Sequence, residues 1–132
     1  MITADAAFLA VIDTIVPDDQ DPGAVSAGVP AALRQNFKRE PWREKEYRQV
    51  VQAVTSVANT RHGRPFAALD LDARTEILHR LLRDKEAGDA RVYLALLRVA
   101  VLRQFYSSPA GQRMLGYTPP RHGYSNYHLP PV

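Results

Sequence analysis

Along the first hundred-odd residues, apolar positions recur at the three-and-four spacing of amphipathic helices, and almost nowhere at the alternation of a half-buried strand. In the first such run Phe8, Leu9, Ile12, Ile15 and Val16 fall on one face and Pro17 stops it. Thr3 is its expected N-cap, with Asp5 in the first turn where the helix dipole favours an anion. Asp18 to Gly23 then reads as a turn-rich loop. A second helix is expected to begin near Pro30, whose fixed φ suits the first helical position. Its narrow stripe is Val29, Leu33 and Phe37, and it ends before Pro41. The third helix carries Tyr47, Val50, Val51, Val54, Val57 and Ala58 on one face and stops at His62-Gly63. Its valines favour strands in isolation, but their period is not two, so the pattern predicts a helix.

Asp70 is the expected N-cap of a fourth helix, with Asp72 in its first turn and Ile77, Leu78, Leu81 and Leu82 on its apolar face. Beyond Gly88-Asp89, a fifth helix over about Ala90 to Tyr106 is apolar nearly all the way round, apart from Arg98 and Arg103. A helix without a polar face belongs in the centre of a bundle, so the other four are expected to surround it. Ser108-Pro109 then opens one short helix that ends by Gly116. The fold class that follows is all-α: a small bundle of about five helices around a central apolar helix. It occupies residues 1–116 and is followed by an extended arm over 117–132 that is not a separate domain.

That arm differs in kind from the rest. From Pro119 onward it holds four of the ten prolines, and Tyr117, Tyr124 and Tyr127 are three of the six tyrosines. Proline lacks a donor and fixes φ, so the segment reads as extended rather than regularly paired. Ordering it would cost about 1–2 kcal/mol of backbone entropy per residue. It is therefore a disordered tail, a strap on its own bundle, or an arm laid on a partner. Tyrosine, arginine and preorganised proline suit the third. The candidate partner-binding residues are Leu115, Gly116, Tyr117, Pro119, Pro120, Arg121, Tyr124, Tyr127 and His128.

Length and composition narrow the function classes. The 132 residues make one domain and can bury about two-thirds of the unfolded surface without staples. There is no cysteine, which removes disulfides, thiolate zinc sites and cysteine nucleophiles. The longest nearly apolar stretch, Val92 to Leu102, contains Arg98 and falls short of the roughly 20 residues of a membrane span, so direct membrane insertion is not expected. The N-terminal sequence has no basic leader or twin arginine. The expected compartment is the cytoplasm, with the periplasm as the alternative if a leader was removed or the chain is exported with its partner.

Net charge is +3, and its distribution is informative. Asp89 is the last acidic residue, after which come Arg91, Arg98, Arg103, Arg113 and Arg121. A one-signed face is either a solvated surface or a docking face for an acidic partner. The rival reading, a basic helical nucleic-acid-binding domain, is weakened by the wide spacing of these arginines. The denser basic run from Arg34 to Arg48 is diluted by Glu40, Glu44 and Glu46. A search for chemistry returns nothing. No glycine-rich phosphate loop exists, and the Asp18, Asp19, Asp21 cluster fails the calcium-loop test at its sixth and twelfth positions. His62, His79, His122 and His128 are scattered, with no pair four apart. No catalytic, cofactor-binding or metal-binding residue is assigned.

Three stretches carry a family resemblance. The first combines Ile15-Val16-Pro17, Pro22-Gly23-Ala24 and Ala27-Gly28-Val29. The second is Phe66-Ala67-Ala68-Leu69-Asp70 with Ala73-Arg74, and the third Phe105-Tyr106-Ser107-Ser108-Pro109-Ala110-Gly111 with Leu115-Gly116-Tyr117. Together they resemble the gluconate 2-dehydrogenase subunit 3 family over nearly the whole chain. The resemblance implies a small helical subunit that does no chemistry of its own. It would stabilise, mature or help export a large flavoprotein of the glucose-methanol-choline oxidoreductase type, which oxidises sugars, sugar acids or glycosides. FAD is expected in that partner rather than in this chain, and a cytochrome subunit often completes such complexes. This chain departs from exported members in having no twin-arginine leader.

Overall fold

In the computed structural model, residues 2–116 are described. They form six α-helices and three short 3-10 turns, with no strand among the described residues. The helices are α1 (Ala6–Ile15), α2 (Val29–Arg39), α3 (Trp42–His62), α4 (Leu71–Arg83), α5 (Asp89–Tyr106) and α6 (Pro109–Met114). This is the all-α bundle that the periodicity predicts. The arm over 117–132 lies outside the described residues.

The start of α1 differs from expectation. Residues Ile2–Ala4 form a 3-10 turn, and Asp5 rather than Thr3 is the N-cap, accepting hydrogen bonds from the amides of Ala7 and Phe8. The cap moves to Asp5 because Ile2 is itself a core residue. It is 1% exposed, and its amide donates to Glu44 Oε2 of α3 at 2.9 Å, which holds the chain back one turn. The predicted α4 cap is present: Asp70 accepts from the Ala73 amide at 2.8 Å. In α2 the stripe Val29, Leu33 and Phe37 is buried as expected, and in α3 the buried positions are Tyr47, Val50, Val54 and Ala58.

Helix α5 packs most extensively on α3, and also contacts α1, α2, α4 and α6. Leu94, Leu97, Val101 and Phe105, spaced three and four apart, point into this contact and are almost wholly buried. The expectation of a fully surrounded helix is nevertheless corrected. Val92, Leu96, Val99 and Tyr106 are exposed, Val99 to 53%, because the other helices gather on one side of α5 and leave the opposite side open.

The three stretches that carry the family resemblance turn out to be the corners of the bundle. After α1, the Ala24 amide donates to the Val16 carbonyl at 2.9 Å, and the Val29 amide donates to the Ala24 carbonyl at 3.1 Å. Ala24 is fully buried and Gly23 lies directly against the Val16 carbonyl, where a Cβ would have no room. Before α4, Phe66 and Leu69 enter the core while Asp70 caps the helix. Between α5 and α6, Ser108 caps α6 through the Gly111 amide at 3.1 Å, and a Cβ on Gly111 would strike the Phe105 carbonyl.

The obstacle at Gly23 is backbone, which cannot swing aside as a side chain can. Gly23→Ala should therefore destabilise the bundle by about 1–3 kcal/mol, the usual overpacking penalty. At roughly 4 °C per kcal/mol this lowers the thermal midpoint by several degrees, measurable by circular dichroism. Phe8→Ala, which empties a fully buried position, should cost about 3–5 kcal/mol in the same assay.

Candidate partner-binding surface

The open side of α5 is built by the same sequence that makes its core side. Val92, Leu96, Val99, Arg103 and Tyr106 follow one another at spacings of four, three, four and three along the helix. That is the spacing of a seam between two packed helices. It runs about 21 Å at 1.5 Å per residue. Beside it lies a groove of about 220 Å³ between α2, the start of α3 and α5. Its walls include Leu33, Phe37, Tyr47, Leu96 and Val99, with Arg103 at the edge.

An aromatic cluster fixes the floor. Tyr47 stacks on Phe8 with ring centroids 6.3 Å apart and meets Phe37 at 5.9 Å and a tilt of 58°. The Tyr47 ring is 4% exposed, and this burial raises its hydroxyl above the ordinary value, so it stays neutral. The two arginines at the groove differ. Arg43 is held in place by Glu46 at 2.9 Å and Glu40 at 3.0 Å, which raise its already high pKa further and neutralise its charge locally. Arg103 is exposed and has no ion-pair partner among the described residues. Trp42, 53% exposed, stands one position before Arg43.

A second cavity of about 170 Å³ lies between α1, α4 and α5 and touches Thr14, His79 and Arg98. The Thr14 hydroxyl is already committed to the Ala10 carbonyl at 2.6 Å. Beside this cavity Arg74 reaches across from α4 to Asp13 of α1 at 3.1 Å and ties the two helices together. Ligand pockets for drug-sized molecules run roughly 300–1,000 Å³, so neither cavity is sized for a dinucleotide such as FAD. The groove on α5 suits one or two inserted side chains instead.

The acidic loop serves the corner after α1. Asp18 accepts from the Gly23 amide and from the Ser26 hydroxyl, the latter at 2.6 Å. Among the described residues no three acidic or histidine side chains are placed to hold a metal, and no helix is long and apolar enough to cross a membrane. His62 and His79 are exposed on helices.

Of the sequence-predicted contact residues, Leu115 and Gly116 are described and both are exposed, just after α6. Leu115 is 43% exposed and Met114 beside it 46%, which continues the apolar exposure past the end of α5. Tyr117, Pro119, Pro120, Arg121, Tyr124, Tyr127 and His128 lie outside the described residues. The α5 stripe itself was not among the sequence candidates. Periodicity could not single it out, because α5 is apolar on nearly every face.

Comparison with known proteins decides the family. The profile of gluconate 2-dehydrogenase subunit 3 matches residues 4–123. The chain belongs to that family. Neither a curated protein nor a solved structure matches it. A subunit 3 family member is by that description part of a multi-subunit dehydrogenase, and therefore of an oxidoreductase complex. The matched region takes in all six helices and the three corner motifs.

The Asp18 contacts predict a pH effect with a definite sign. Hydrogen bonds from Ser26 and Gly23 hold the Asp18 carboxyl below its ordinary value. A depressed folded-state value means the stabilisation is present above the unfolded value of about 3.9 and is lost as pH falls through the lower, folded one. Asp18→Asn should thus melt below the parent near pH 7. The gap should narrow as the pH is lowered below about 3.9 and toward the lower folded value, and a series of thermal melts at falling pH checks this.

Proposed function

We propose that this chain is the small, non-catalytic subunit of a heteromeric FAD-dependent sugar or glycoside dehydrogenase. In this reading it binds a large glucose-methanol-choline type subunit and stabilises or matures it. The observation that carries the reading is membership of the subunit 3 family across residues 4–123. The physical features agree with it. The described residues carry an apolar stripe open to solvent on α5, beside a groove that can take an inserted side chain. Exposed contiguous apolar surface on a small soluble domain is the usual mark of an interaction site. The flavin, the substrate pocket and any cytochrome belong to the partners.

Co-expression with a candidate large glucose-methanol-choline type subunit from the same source, followed by purification on a tag carried by the small subunit, tests the proposal. The large subunit should be recovered in constant ratio. It should also be less soluble or less active when produced alone. Recovery of the tagged chain by itself, beside a fully soluble and active large subunit, would overturn the reading. The arm is tested separately: truncation after Gly116 should reduce the amount of large subunit recovered while the helical circular dichroism signal of the chain persists.

A further inference from the structure

Resting on the proposed subunit role, we infer that the open stripe of α5 is the seat of an apolar, carboxylate-bearing helix of the large subunit, with Arg103 as the one ionic contact in the seam. Three observations lead there. The first is spacing. Val92, Leu96, Val99, Arg103 and Tyr106 repeat at four and three, which matches the knobs of a facing helix rather than a flat or irregular surface. The second is depth. Leu96 and Val99 stand on the wall of the 220 Å³ groove floored by Phe37 and Tyr47, so a large side chain from the occupant has a pocket to fill.

The third is charge, and it chooses the occupant. Within α5 the only acidic residue is Asp89 at its first position, while Arg91, Arg98 and Arg103 follow. Arg103 interrupts an otherwise apolar seam and has no carboxylate partner among the described residues. An occupant without a carboxylate would leave that guanidinium covered and unpaired, which is costly. A second copy of α5 would bring its own Arg103 to the seam and no carboxylate to pair either one. The chain's own residues 117–132 contain Arg121 and no acidic side chain, so no side chain there answers Arg103. An apolar helix of the partner with a Glu or Asp opposite Arg103 satisfies both. The charged position would then set the register, as single polar positions do in helical seams.

The test uses the full chain co-expressed with the large subunit. Val99→Asp and Leu96→Asp should each reduce recovery of the large subunit at least about tenfold, because a carboxylate is forced into the seam. Arg103→Glu should do the same through charge repulsion, while Arg103→Lys, which keeps the charge, should retain most of the recovery. Since these side chains are exposed, the isolated variants should keep the parent's helical signal, melting temperature and monomeric mass. If wild type recovers the large subunit and all four variants do so equally, the seam is not the contact and the inference falls while the subunit role stands. If the aspartate variants lower the melting temperature of the isolated chain, or convert a dimer to a monomer, the stripe is covered by its own chain or by a second copy, and the inference falls. If wild type itself fails to recover the large subunit, both readings fall together.

Discussion

A single helix with apolar residues on every side sets the terms for this structure. Leu94, Leu97, Val101 and Phe105 of α5 supply the surface onto which the other helices pack, and without that face none of them has a common core. The same helix carries Val92, Leu96 and Val99 on its far side, where they stay exposed beside the groove. Burying a fully exposed valine or leucine side chain is worth about 1.5–3 kcal/mol. Covering three half-exposed ones would release several kcal/mol before the entropy of association is subtracted. The bundle is thus complete as a fold and unfinished as a surface, and both facts come from one segment of sequence.

The corners explain how so short a chain holds its helices at the required angles. At the first, Gly23 lets the loop close against the Val16 carbonyl while the Asp18 carboxylate satisfies a backbone amide and a serine hydroxyl. At the last, Gly111 lets α6 fold back on the end of α5 as Ser108 caps it. Between them, Phe66 and Leu69 anchor the turn into α4. These are the positions at which a side-chain change alters backbone path.

Much of this was legible in the sequence. The stripes of α2 and α4, the Asp70 and Ser108 caps and the stop at Gly63 follow from spacing and cap chemistry that act within one or two turns. What the sequence hid was non-local. Whether Thr3 or Asp5 caps α1 depends on Ile2 being buried and bonded to Glu44, forty-two positions away. Which faces of α5 are covered depends on where its neighbours sit, and periodicity has nothing to say about a helix that is apolar throughout. The local rules failed at this surface for that reason. An amphipathic helix announces its exposed side by polarity, whereas one that is apolar on every side does not.

The distribution of charge then bears on how such a surface avoids associating with itself. An apolar stripe alone would favour any apolar neighbour, including another copy of the chain. If the seam takes a partner helix, Arg103 within it disfavours a second copy, which brings the same charge, while an acid-bearing partner would be drawn in and aligned. On the proposed reading, the loss of acidic residues after Asp89 is what makes the exposed apolar surface of α5 selective. The stripe supplies the affinity, and the arginines decide which protein may use it.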